Sequence, residues 1–138
     1  RQKLIIAIDA QVSESGPRCK TFVLFLPEGE MHELSLLYYT YLIKKRGHRV
    51  IYLGQSLPFE DLLQTKLITH PDFLVTVFTS AISRVNIQTY INSLSEQFPE
   101  LTILLGGNQV IDLPYLQPKN VFPMKIKSDL ENILINIE

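Results

Sequence analysis

The chain has 138 residues, 46% of them hydrophobic, with 13 basic against 14 acidic side chains and a formal net charge of -1. That is the size and make-up of one globular domain with a core of its own, and its lysines and arginines are spread along the chain, without the basic stripe by which a domain grips nucleic-acid phosphates. A single cysteine, Cys19, permits no intrachain disulfide, and no run of about 18 apolar residues or signal-peptide pattern is present, so a cytoplasmic, reducing setting away from membranes is expected.

In chain order, residues 1–20 divide into RQKLIIAIDAQV, which reads as the end of a preceding helix or an added strand, and SESGPRCK, which reads as a linker. The chain opens without methionine, so this stretch is expected to be a leader from an N-terminal helical region, with the main domain at 21–138. Five short apolar runs follow: TFVLFL (21–26), RVIYLG (49–54), FLVTVFT (73–79), TILLGG (102–107) and NVFPMK (120–125). Helical spacing separates them. Leu34, Tyr38, Tyr41 and Leu42 form one stripe, Leu62, Leu63 and Leu67 a second, and Ile87, Ile91, Leu94 and Phe98 a third. NQVIDLPYLQPK, with two prolines, has room for about one helical turn, and SDLENILINIE offers Ser128 as an N-cap with Glu131 three residues on, the spacing of a capping box.

Strand and helix therefore alternate five times. Strands that are apolar throughout suit a sheet buried on both faces, so the pattern predicts an α/β fold with a doubly wound, five-stranded parallel sheet in the order 2-1-3-4-5. Ligands of such sheets bind beyond the carboxyl ends of the strands, near the point where strand order reverses. That singles out PEGEMHELS after strand 1, GQSLPFEDL after strand 2, SAISRVN after strand 3, GGNQV after strand 4 and PMKIKSD after strand 5.

Three common occupants fit poorly. A flavin phosphate would be repelled by Glu28, Glu30 and Glu33, and G-x-G-x-x-G is absent from the first turn, which disfavours a nicotinamide dinucleotide. Lys125 stands where a phosphoacceptor receiver keeps its lysine, but Thr79 and Ser80 occupy the place of the receiver's aspartate.

Another pattern does fit. EMH at 30–32, SAI at 80–82 and GG at 106–107 resemble, in order and spacing, the cobalamin-binding signature Asp/Glu-x-His-x-x-Gly, Ser-x-Leu, Gly-Gly. The phrase LPEGEMHELSLLYYTYLIKKRGHRVIYLGQSLPFEDLL is especially similar to the cobalamin-binding domain of MerR-type, cobalamin-dependent transcriptional regulators. The resemblance covers 21–138 and departs from the motif at Ser35, where the glycine stands, and at Ile82, where the leucine stands. It implies a Rossmann-like, flavodoxin-like domain of the cobalamin-binding type. Adenosylcobalamin or methylcobalamin would be held base-off, with His32 as lower axial cobalt ligand and Ser80 bonded to the displaced benzimidazole. Ser35, Ile82, Gly106 and Gly107 would line the path of the nucleotide tail.

The chemistry of these residues supports that assignment independently. Imidazole is a good ligand for cobalt, and a metal-bound histidine normally passes its other N-H to a carboxylate, the role that the spacing offers to Glu30. Glycines 106 and 107 remove side chains where backbone would approach a ligand. Each residue also has a plainer reading: a solvated loop histidine, a helix-capping serine, glycines serving only the turn. His48 and His70, at the opposite end of the sheet, are expected at the surface, and KKR at 44–46 reads as a solvated helix end.

The implied role is regulatory, not enzymatic. In that family a helix-turn-helix domain and a helical bundle precede this module, DNA is touched only through the former, and the cofactor controls homo-oligomer assembly. The alternatives are a cobalamin carrier domain of a corrinoid methyltransferase or mutase and a cofactor-free interaction domain of the same fold.

Overall fold

The computed structural model describes residues 19–79, 84–111 and 118–137. Residues 1–18, most of the expected leader, and the expected site residues Ser80 and Ile82 lie outside the described residues. The five strands are β1 (Thr21–Pro27), β2 (Arg49–Leu57), β3 (Phe73–Val77), β4 (Thr102–Gly106) and β5 (Val121–Pro123). They form one all-parallel sheet in the order β2-β1-β3-β4-β5, which is the expected topology.

Among the described residues, five α-helices connect and follow them: α1 (Leu34–Lys45), α2 (Phe59–Gln64), α3 (Arg84–Gln97), α4 (Asn108–Ile111) and α5 (Asp129–Asn136). Successive side chains of a strand point to opposite faces, and here both faces are covered. Val23, Phe25, Leu74, Ile103 and Leu105 pack with Leu62 of α2 and with Ile87, Ile91, Leu94 and Phe98 of α3. Phe22, Leu24, Leu26, Val75 and Leu104 pack on the other face with Leu36 and Ile43 of α1 and Leu130 and Leu134 of α5. No described helix is long and apolar enough to cross a membrane.

Several local expectations change. α1 seats Leu36, Thr40 and Ile43 on the sheet and buries Leu42 of the expected stripe, whereas Leu34 is 61% exposed and Tyr38 and Tyr41 are half-buried. LSLLYYTYLI carries apolar side chains around most of its circumference, so spacing alone does not select a face; Thr40 qualifies because its hydroxyl donates back to the Leu36 carbonyl at 2.9 Å. Leu67 is exposed, because a tight 3₁₀ turn over Thr65–Leu67 follows α2 and carries it off the Leu62 face.

Ser128 does not cap α5 with its side chain; its φ/ψ of -86°/-2° is already helical rather than extended. Asp129 ties the turn instead, its Oδ2 accepting the N-H groups of Lys125 (2.7 Å) and Ile126 (2.9 Å). His48 is 2% exposed rather than at the surface, tucked beside the Phe22 ring, with Nδ1 accepting the Lys20 N-H at 3.0 Å. His70 is exposed as expected.

The largest change in a strand bears on the site. β2 runs on to Leu57 because it gains a residue on β1 twice, once between Tyr52 and Gly54 and again before Leu57. Such bulges re-aim side chains at the end of a strand, and here they bring Ser56 up against the loop that leaves β1.

Candidate functional site

The loop between β1 and α1, residues 28–33, lies at the carboxyl end of the sheet between the ends of β2 and β3, the strands that flank β1. Its turn closes through the Glu30 N-H, which donates to the Pro27 carbonyl at 2.9 Å. β2 braces it from one side. Gly29 N-H donates to Ser56 Oγ (3.1 Å), the Ser56 N-H donates to the Glu30 carbonyl (3.0 Å), and the Tyr52 hydroxyl donates to Glu33 Oε1 (2.9 Å).

β3 braces it from the other side through a carboxylate. Glu30 is fully buried, which demands hydrogen bonds for its charge, and Thr79 supplies them. The Thr79 N-H donates to Oε2 at 2.9 Å and its hydroxyl lies 2.6 and 2.7 Å from the two carboxylate oxygens. The fourth contact is His32, whose Nδ1 is 3.1 Å from Glu30 Oε1. Burial pushes the Glu30 carboxyl upward, but the Thr79 hydroxyl and amide and then His32 outweigh it, leaving it below its ordinary value and ionised at neutral pH.

An ionised Glu30 only accepts hydrogen bonds, so Nδ1 of His32 is the donor, and in the neutral imidazole with that tautomer Nε2 keeps its lone pair. The ring is 73% exposed, so that lone pair is accessible. A carboxylate that accepts from one ring nitrogen and leaves the other free to coordinate is the arrangement by which metal-ligating histidines are commonly oriented. Among the described residues no group of three or more His, Cys, Asp or Glu could hold a metal ion. A single imidazole suits a metal whose remaining positions are filled by a macrocycle better than a bare ion, which needs three or four protein ligands.

Beside the loop, between α1 and the segment after β5, lies a cleft of about 470 Å³ lined by Ser35, Tyr39, Gly107, Met124, Lys125 and Leu130 among others. Its rim carries Leu34, Ile111 and Ile126, large apolar side chains that are exposed. Ser35 and Gly107 thus line one cleft.

The two glycines have different causes. Gly107 has a φ of +97°, and a Cβ there would lie 2.8 and 2.9 Å from the backbone C and N of Phe78, so the turn itself requires glycine. Gly106 has no such backbone constraint. A Cβ at Gly106 would collide with the Tyr39 ring, which fills the space the glycine leaves.

Thr79, Ser56 and Tyr52 escaped the sequence reading as parts of the site. Thr79 offered one signal: it stands just past β3, the strand next to β1 at the reversal of strand order, where its side chain must meet the β1 loop. Ser56 and Tyr52 offered none, since the bulges that aim them depend on pairing with β1.

No family model matches the chain, and no curated protein matches it. Solved structures do. The chain is similar to a novel cobalamin-binding protein from Desulfitobacterium hafniense DCB-2, with 17% identity and a TM-score of 0.53 over 71% of this chain and 46% of that one. It is also similar to the methanol:cobalamin methyltransferase complex MtaBC from Methanosarcina barkeri (18% identity, TM-score 0.66, 86% of this chain and 46% of that one). A third likeness is to the monomethylamine corrinoid protein of the same organism (15% identity, TM-score 0.68, 86% and 57%). The chain spans about half the length of these proteins, and what it shares with them is the Rossmann-like fold of their cobalamin-binding domains.

Proposed function

We propose that this chain is a cobalamin-binding domain in which His32 is the lower axial ligand of cobalt. The observation that carries the reading is the Glu30-His32 pair: a buried carboxylate, fixed by Thr79, holds Nδ1 at 3.1 Å and leaves Nε2 outward on a ring that is 73% exposed. The likeness in fold to proteins described as cobalamin-binding and corrinoid proteins supports it.

Within this reading each residue has a defined task. Glu30 keeps the proton on Nδ1 and strengthens Nε2 as a donor. Thr79 and Ser56 hold the loop so that the imidazole is presented without first being ordered, which removes part of the entropy cost of binding. Leu34, Ile111 and Ile126 give an apolar rim on which the edge of a macrocycle can rest, and Lys125 lies in the cleft beneath it. Bound cobalamin supplies a cobalt centre able to exchange axial ligands and to carry a methyl or adenosyl group.

For the larger protein we favour a regulator of the MerR type, because the similarity of LPEGEMHELSLLYYTYLIKKRGHRVIYLGQSLPFEDLL to that family extends well beyond the ligand motif. Control of assembly then requires the cofactor to favour one state by a few kcal/mol, with DNA contacted by a helix-turn-helix segment elsewhere in that protein. The second reading, a carrier domain serving a methyltransferase, is favoured by the likeness to MtaBC and the monomethylamine corrinoid protein.

The test of ligation is a titration with hydroxocobalamin followed in the visible spectrum. Wild type should show the change of a histidine-ligated, base-off corrinoid and His32→Ala should not; superimposable spectra would remove the assignment. Cofactor-dependent oligomerisation of the full-length protein without methyl transfer would favour the regulator, and methylation of the bound corrinoid by a methyl-donor protein the carrier.

A further inference from the structure

The geometry points to Tyr39 as the residue that sets how much of a corrinoid's nucleotide tail this cleft accepts, making the domain selective for corrinoids with a short or absent lower base. The inference rests on the reading that His32 ligates a corrinoid and concerns the opposite end of the same site.

Gly106, at the end of β4, and Gly107, just past it, present no side chain beside this cleft. Gly107 is glycine for its own backbone, as its φ of +97° and the closeness of Phe78 require. At Gly106 the space is filled from within: the Tyr39 ring, reaching over from α1, occupies the position a side chain there would take. Tyr39 also walls the cleft alongside Ser35, Met124 and Leu130. Its hydroxyl is pushed above the ordinary tyrosine value by burial and then by the negative charge of Asp129, as expected of a ring set into the protein rather than resting on it.

A dimethylbenzimidazole base and the Tyr39 ring are flat aromatic bodies of similar size, and two such bodies do not share one space in an interior packed to the usual density. A tail laid over Gly106, on the path the resemblance implies, must therefore displace Tyr39 or keep to the outer cleft. A corrinoid that ends before the base meets no such demand, and it can take His32 as its ligand with Tyr39 in place. Departure from the motif's glycine at Ser35, one helical turn before Tyr39 on the same face of α1, acts in the same direction by adding a side chain to the cleft wall.

The experiment compares cobinamide, which lacks the nucleotide tail, with hydroxocobalamin, each titrated into wild type, His32→Ala, Tyr39→Ala and Tyr39→Val. Wild type should bind cobinamide about tenfold or more tightly than cobalamin. Either Tyr39 variant should narrow that ratio to about threefold or less by tightening cobalamin alone. Because releasing the base from cobalt is common to every variant, the change in the ratio isolates the contribution of Tyr39.

A Tyr39 that merely packs α1 predicts that both corrinoids weaken together in the variants, and that result, or a wild type preferring cobalamin, would overturn the inference while leaving ligation intact. Tyr39→Val keeps a branched apolar side chain in case Tyr39→Ala folds poorly. Cobinamide binding unaffected by His32→Ala would instead remove the ligation reading, independently of Tyr39.

Discussion

The two ends of the cleft are built in opposite ways. The β1-α1 loop is assembled without a ligand: Glu30 is buried and bonded to Thr79, Ser56 ties the backbone to β2, and His32 is aimed outward. The region over Gly106 is the reverse, for its space is taken by Tyr39. A polar group must be held by partners at all times, because a buried unpaired charge is costly whether or not a ligand is present. An apolar cavity of the same size would lose its contacts and destabilise the empty protein. Hence, in the proposed site, the polar end is held by partners of its own and the apolar end is filled by the chain itself.

The sharpest way to break this arrangement is at the floor shared by both regions. Gly107→Ala places a Cβ against the Phe78 backbone at a φ of +97°, combining a strained conformation with a contact that backbone cannot avoid. A loss of about 3 kcal/mol is expected, measured as a drop in the urea midpoint. A loss under about 0.5 kcal/mol would mean that the turn is not fixed by Phe78.

The preformed end is tested at Thr79. Thr79→Val keeps the shape and removes the hydroxyl that lies 2.6 and 2.7 Å from the Glu30 oxygens, leaving the backbone N-H as the remaining Thr79 donor. Hydrogen bonds to a buried charge are worth about 1.5–3 kcal/mol, and about 2 kcal/mol of stability should be lost. His32→Ala, by contrast, alters an exposed ring and should change stability by less than about 0.5 kcal/mol. Equal costs for the two variants would contradict the picture of a loop anchored by its carboxylate rather than by its histidine.

The same contrast explains what could be read from the sequence. Strand number, order and both faces of the sheet were legible, because continuous apolar runs such as TFVLFL admit few arrangements. So was the Glu30-His32 pair, whose partners are two residues apart on one loop. Thr79 and Tyr39 were not legible in their roles, since each acts through a contact that exists only after folding: 49 residues separate Thr79 from Glu30, and Tyr39 meets Gly106 across the sheet. The stripe expected on α1 ran through Tyr38 and Tyr41, and the helix turned instead to put Leu36, Thr40 and Ile43 on the sheet, which brought Tyr39 over the glycine. Likewise His48 was read as a surface residue because its partner, the Lys20 N-H, belongs to the chain entering β1.

The smallest expected effect lies at high pH and separates two half-buried tyrosines on opposite faces of the sheet. Burial raises the Tyr90 hydroxyl well above its ordinary value, and burial followed by the charge of Asp129 raises that of Tyr39. In the unfolded chain both titrate near pH 10. A folded-state value raised above the unfolded one means that the stabilisation is fully present below about pH 10 and is lost as pH rises through the folded values. Lysines titrate in the same range, so the informative quantity is the difference between wild type and each phenylalanine variant. Tyr90→Phe should flatten the alkaline loss of stability the more, because Tyr90 Oη is buried without a hydrogen-bond partner among the described residues. Tyr39→Phe should flatten it less, since Tyr39 borders an open cleft. Urea melts at several pH values between about 8 and 11 would measure both slopes, and a larger effect at Tyr39 would show its ring to be the more deeply sealed of the two, against the idea that a ligand can displace it.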